Sequence, residues 1–165
     1  MTITYQDLKA RMNEVINDNQ KRAYFIEENI EKLINTYKQE LKLQDESWQD
    51  SYGTYREYVS IGLLHDRDFS KQGIDALMKN GSMAVFHVGT VVDDSKFGGE
   101  IATCQVAVET NQQCDQVTIT VRGKPDSSFV IPSDEDGEEK FKLAAQEMAK
   151  ATFTDIAKFN SYKTE

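Results

Sequence analysis

Histidine, cysteine and proline each occur only twice in this chain, and each scarcity excludes something. Cys104, Cys114, His65 and His87 could in number fill a zinc site. Their spacing contains no paired-ligand knuckle, so no metal and no cofactor are expected. In a hairpin turning at 111–114, Cys104 and Cys114 lie several residues apart along the ladder, beyond the reach of a bridge. Two free thiols fit a reducing compartment. The two prolines stand at 125 and 132, so nothing before them forces a helix or strand to break. No apolar run approaches the ~20 residues a membrane span needs. The opening MTITYQDLKARMNE lacks a basic start followed by an apolar stretch, which excludes an N-terminal signal peptide and makes the cytoplasm the expected location.

Positive charge is also short. Nineteen Lys and Arg face 28 Asp and Glu, for a net charge of -9. Residues 1–50, 51–110 and 111–165 each carry a surplus of three acidic groups, so the excess is spread evenly. Such a surface repels phosphate backbones and disfavours direct nucleic-acid binding. Catalytic signatures are missing as well: there is no phosphate-binding Gly-rich loop, no GxGxxG and no nucleophile elbow. His65-Asp66-Arg67-Asp68 suggests a metal phosphohydrolase but lacks further histidines, and reads better as a charged cap before a helix at 69. Asp134-Glu135-Asp136-Gly137 resembles the start of a calcium loop without its later ligands, and reads better as a helix cap.

What is present points to an α+β fold, with residues 1–165 as one domain: a helical part at 1–58, a mainly β part at 59–132 and a C-terminal helix at 133–161. Over 4–43, Leu8, Met12, Val15, Asn19, Ala23, Ile26, Ile30, Leu33, Tyr37 and Leu41 recur at steps of three and four. This is the stripe of one long amphipathic helix, or of two that break near the polar 17–20. Thr4 and Asp7 read as its start. About 40 residues would span ~60 Å, more than a domain of this size is wide. Either the helix bends back, or part of its stripe meets a partner, which leaves room for a homodimer with Asn19 fixing register. Trp48, Tyr52, Tyr55 and Tyr58, at steps of four, three and three, are expected to share one helical face as an aromatic patch, although Gly53 argues against helix there. A short helix is expected over 69–79, stopped by Asn80-Gly81.

Three alternating runs, at 82–92, 100–110 and 116–123, predict an antiparallel meander, with a short fourth strand at 128–131. Ser133 then caps the last helix, which is apolar enough to cover a sheet face. The alternation sorts the strands into two faces. Phe86, Val88, Cys104, Val106, Val108, Val117, Ile119 and Val121 form the apolar one. The other carries His87, Gln105, Thr103, Thr120 and Arg122, with His87 expected beside Gln105, Gln105 beside Thr120 and Thr103 beside Arg122. The plain reading of this second face is a hydrated surface. The sharper one is a ligand or partner face, where His87 exchanges a proton, Gln105 orients a ligand and Arg122 holds a carboxylate or phosphate.

The expectation is therefore a small acidic soluble protein that acts by protein–protein interaction on a basic partner, in the manner of inhibitors, immunity proteins or adaptors. One alternative is a small-molecule-binding or enzymatic domain with a pocket between the polar face and the aromatics. Another is a phage-accessory protein or nucleic-acid mimic.

Overall fold

A computed structural model describes residues 1–80, 82–134 and 137–160. Helix α1 runs unbroken from Tyr5 to Glu40, 36 residues or about 54 Å. Thr4 and Asp7 close the expected capping box: Thr4 N–H donates to the Asp7 carboxylate at 2.8 Å, and Asp7 N–H donates to Thr4 Oγ1 at 3.3 Å. The Thr4 hydroxyl also donates to Asp7 Oδ2 at 2.6 Å, and this bond and that from the Thr4 N–H hold the Asp7 carboxyl below its ordinary range. No bend occurs at 17–20. Only Ile26, Asn29, Ile30, Leu33 and Tyr37 of α1 are buried, and residues 1–21 are exposed throughout. The first half of the helix is thus an arm that extends past the body.

Residues 47–58 are not helical. They form a hairpin, β1 (Ser47–Gln49) paired with β2 (Tyr55–Glu57). Gly53 takes φ +78 in its turn, and the Asp50 carboxylate accepts from Tyr52 N–H at 2.9 Å and Thr54 N–H at 3.0 Å. A side chain that organises its own turn outweighs a helical spacing of aromatics. The helix expected over 69–79 is also overturned. β3 (Val59–His65) turns through Asp66, at φ +57, into β4 (Asp68–Lys71), so His65 to Asp68 is a tight turn between strands. A four-residue helix, α2 (Ile74–Leu77), and β5 (Met78–Asn80) follow. Gly81, the expected helix stop, lies outside the described residues.

The meander is present and larger than expected. β6 (Met83–Val91), β7 (Ile101–Thr110), β8 (Gln116–Val121) and β9 (Ser127–Pro132) continue one antiparallel sheet in the order β4-β3-β6-β7-β8-β9, with β5 pairing the start of β6. β7 and β8 pair two residues away from the expected register. Val121 faces Val106 and Ile119 faces Val108. The loop is longer than a four-residue turn because Asn111 and Asp115 bond to each other across it, with Cys114 at φ +55. An even slip keeps every side chain on its face. All eight residues assigned to the apolar face are buried.

That face packs against the second half of α1 and against α3 (Glu138–Asp155), which a 3-10 turn at Ile156–Phe159 extends. Gly137, not Ser133, stands at the N-cap of α3. Ser133 N–H instead donates to Asp115 O at 2.7 Å. Of the residues expected to cap this helix, 135 and 136 lie outside those described. Ala144 and Ala145 are fully buried; with no side chain beyond Cβ they let backbone and sheet approach closely. Among the described residues no helix is long and apolar enough to cross a membrane.

One polar cluster joins three elements inside the core. Tyr37 Oη lies 2.9 Å from Thr90 Oγ1 and 3.1 Å from Thr152 Oγ1, linking α1, β6 and α3. Thr152 also donates to Met148 O at 2.9 Å. Burial pushes the Tyr37 phenol above its ordinary range. Tyr37→Phe removes the shared hydroxyl and leaves Thr90 buried without that partner. It is expected to cost about 1–2 kcal/mol, read as a lower urea midpoint at unchanged slope.

Candidate functional site

Two arrangements compete for the name of site: the polar row on the sheet and the aromatic hairpin beside it. Both long helices pack on the opposite face, so neither covers the polar row. His87 and Gln105 are paired neighbours, as expected. Arg122 N–H donates to Gln105 O at 3.0 Å, so Arg122 and not Thr120 stands beside Gln105. Thr120 faces Ala107, and Thr103 faces Gly89 rather than Arg122.

Two side chains of this row, those of Arg122 and Thr120, have partners from the turn into β9 and from β9. Arg122 Nη1 pairs with Asp126 at 2.8 Å, and both are well exposed. Its guanidinium closes the turn into β9 and does not point to a waiting anion site. Thr120 Oγ1 lies 3.0 Å from Ser128 Oγ on β9. Thr103 is buried, and its N–H, beyond the end of β8, donates to Asp155 Oδ2 at 2.8 Å. Asp155 in turn holds Lys158 at 2.7 Å. His87 Nδ1 is buried without a partner among the described residues. Desolvation lowers the His87 pKa, Asp155 opposes the shift and Lys158 reinforces it. Among the described residues no three His, Cys, Asp or Glu side chains are placed to hold a metal. Cys104 is buried and its thiol is pushed up to about 12, which makes it inert; Cys114 is also free.

The aromatics do not form one stripe. Trp48 is buried, whereas Tyr52 and Tyr55 are 91% and 73% exposed. Tyr58 donates its hydroxyl to Asp94, and that bond raises its pKa. Trp48, Tyr52 and Tyr55 do border a cleft of about 770 Å³ whose floor includes Phe69, Val91 and Ile101. This cleft lies at the Val91–Ile101 end of the sheet face that carries His87 and Gln105, and His87, Gln105 and Arg122 are not among the residues that line it. The cleft's two cations are already held, Arg56 by Asp50 at 2.6 Å and Lys71 by Glu57 at 2.6 Å. Phe69 was missed from sequence. Its ring lies over Gly89, where a Cβ would come within 2.9 Å of it. The glycine interrupting an alternating strand was the available signal.

The lowered His87 pKa has a stability consequence. Between the folded and unfolded pKa values the unfolded chain binds more protons, so stability is present above about pH 6.5 and is lost as pH falls from there toward the folded value. Urea midpoints of wild type and His87→Gln are expected to diverge on that acid side, with the variant less sensitive to pH, and the His87 ring protons to titrate below pH 6.5. No family model, curated protein or solved structure matches this chain, so its function has to be read from its own residues.

Proposed function

We propose that the protein acts by binding other proteins rather than by catalysis, in the manner of inhibitors, immunity proteins or adaptors. The observation that carries this reading is the arm. Along it Tyr5, Leu8, Met12, Val15 and Ile16 are between 36% and 73% exposed. The packed half of α1 supplies the helix nucleus, but propagation into the arm is only weakly favourable in water and depends on the propensity of each residue. The arm holds Val15 and Ile16, and asparagine at 13, 17 and 19, all poor helix formers. Packing of its apolar face is the term that would stabilise it.

The charge of the rest of the chain supports a basic partner. Residues 1–22 hold four basic and three acidic groups, which leaves fifteen basic and twenty-five acidic in residues 23–165. A body of that sign steers basic surfaces toward it and repels nucleic acid and other acidic proteins. Two free cysteines suit a reducing compartment such as the cytoplasm.

A second reading has its own observation. Trp48 Nε1 is a buried donor with no partner among the described residues, and Trp48 borders the 770 Å³ cleft. A planar ligand with an acceptor, seated among Trp48, Tyr52 and Tyr55, would satisfy that N–H after a small shift of the hairpin. Trp48 is the sole tryptophan, so its emission reports on the cleft directly. A metabolite screen that moves neither its emission nor the melting temperature excludes this reading.

The first reading is tested by affinity purification from the source organism at moderate salt. The full chain is expected to retain a basic protein, and the triple variant Leu8→Glu, Met12→Glu, Val15→Glu to lose it. Identical recovery by both chains, or none by either, overturns the proposal.

A further inference from the structure

We infer that the arm pairs with the arm of a second copy, laid antiparallel, and that a basic partner meets the acidic bodies of this dimer; this rests on the reading of the arm as an interaction element. At 100° per residue, Tyr5, Leu8, Met12, Val15 and Asn19 fall in a sector of about 80°, and Ile26, Ile30, Leu33 and Tyr37 lie in the same sector. One stripe therefore runs from the core onto the arm, and whatever covers the arm abuts the body near Ile26, which is fully buried. The stripe follows alternating steps of three and four from Tyr5 to Asn19, the spacing of a two-helix seam. Arg11 and Asp18 flank it on one side, Lys9 and Ile16 on the other.

In an antiparallel pair, seam positions equally far on either side of the two-fold axis meet each other. One register sets Met12 level with Val15 of the second copy, Leu8 with Asn19 and Tyr5 with Arg22. Four apolar side chains then occupy the middle of the seam. Arg11 lies beside Asp18 of the second copy, twice by symmetry, and the Lys9 stem covers Ile16. Arg22 meets the Tyr5 ring, a cation on an aromatic face. Shifting by one heptad toward less overlap sets Arg11 against Arg11. Shifting toward more overlap sets Asp18 against Asp18 and drives the first turn of each helix past Ile26, into the other body. Charge and steric stop select the same register.

A parallel pair would match Asn19 with Asn19, a good register device. It offers Arg11 and Asp18 no opposite charge across the seam, and it sets two strongly acidic bodies side by side at one end. The antiparallel pair keeps them apart across about 27 Å of paired helix. In the single chain Arg11 pairs with Glu14 at 2.8 Å and Arg22 donates to Asn19 at 2.6 Å, both exposed contacts that the pairing can share or exchange.

Sedimentation equilibrium of the full chain over a wide concentration range tests this. Wild type is expected to dimerise. Arg11→Asp and Asp18→Arg are each expected to weaken the dimer about tenfold, since each turns two opposite-charge contacts into like-charge ones. The two singly substituted chains mixed in equal amounts, and the chain carrying both substitutions, are expected to regain it. Body melting temperatures that match wild type show that each variant folds. A wild-type chain that stays monomeric throughout, or a mixture no stronger than its components, overturns the proposal. If wild type is monomeric while the arm variants still lose a protein in the affinity purification, the second copy is excluded and the interaction reading stands. If both experiments fail, both are overturned.

Discussion

Helix α1 carries one apolar face over nearly its whole length, and only the second half of that face has anything to rest on. Ile26, Ile30, Leu33 and Tyr37 are fully buried against the sheet and α3. Burial of side chains of this size is worth about 1.5–3 kcal/mol each, which fixes where the helix sits. The same periodicity continues through Val15, Met12 and Leu8, where no tertiary contact repays the ordering of the chain. The body dictates the direction of the arm, and the arm presents what the body could not cover.

The body itself is a sheet with one strongly used face. β6, β7 and β8 give their inward side chains to the core, and the Tyr37, Thr90 and Thr152 hydroxyls satisfy one another where α1, β6 and α3 meet. Inside an apolar core such a cluster is stable only when complete, so it sets the position of α1 relative to β6 and α3. The outer face is held by short-range bonds, Arg122 to Asp126, Thr120 to Ser128 and the Thr103 N–H to Asp155. These bonds hold the outer face in shape.

The alternation at 82–92, 100–110 and 116–123 was legible because a half-buried strand must repeat every second residue, and Phe86, Val106 and Ile119 obeyed it. The α1 stripe was legible for the same reason at period 3.6. What failed was local. Trp48, Tyr52, Tyr55 and Tyr58 matched a helical spacing, but Asp50 and Gly53 built a turn between them. Residues 69–79 looked helical, yet Asp66 turned β3 into β4. The β7–β8 register slipped by two because Asn111 and Asp115 bond across the loop. A few side chain to backbone bonds decide such turns, and periodicity is blind to them. The polar row could be assigned to a face, but its occupancy could not, since the partners of Arg122 and Thr103 come from the turn at 126 and the end of α3.

Hydrogen exchange of the arm amides, followed against protein concentration, tests most directly whether the uncovered stripe is made to be covered. The account predicts that amides of residues 9–22 gain protection as concentration rises, while protection in the body stays constant. Exchange of those amides at the rate of an unstructured peptide, unchanged at every concentration and in the presence of the recovered partner, would contradict it.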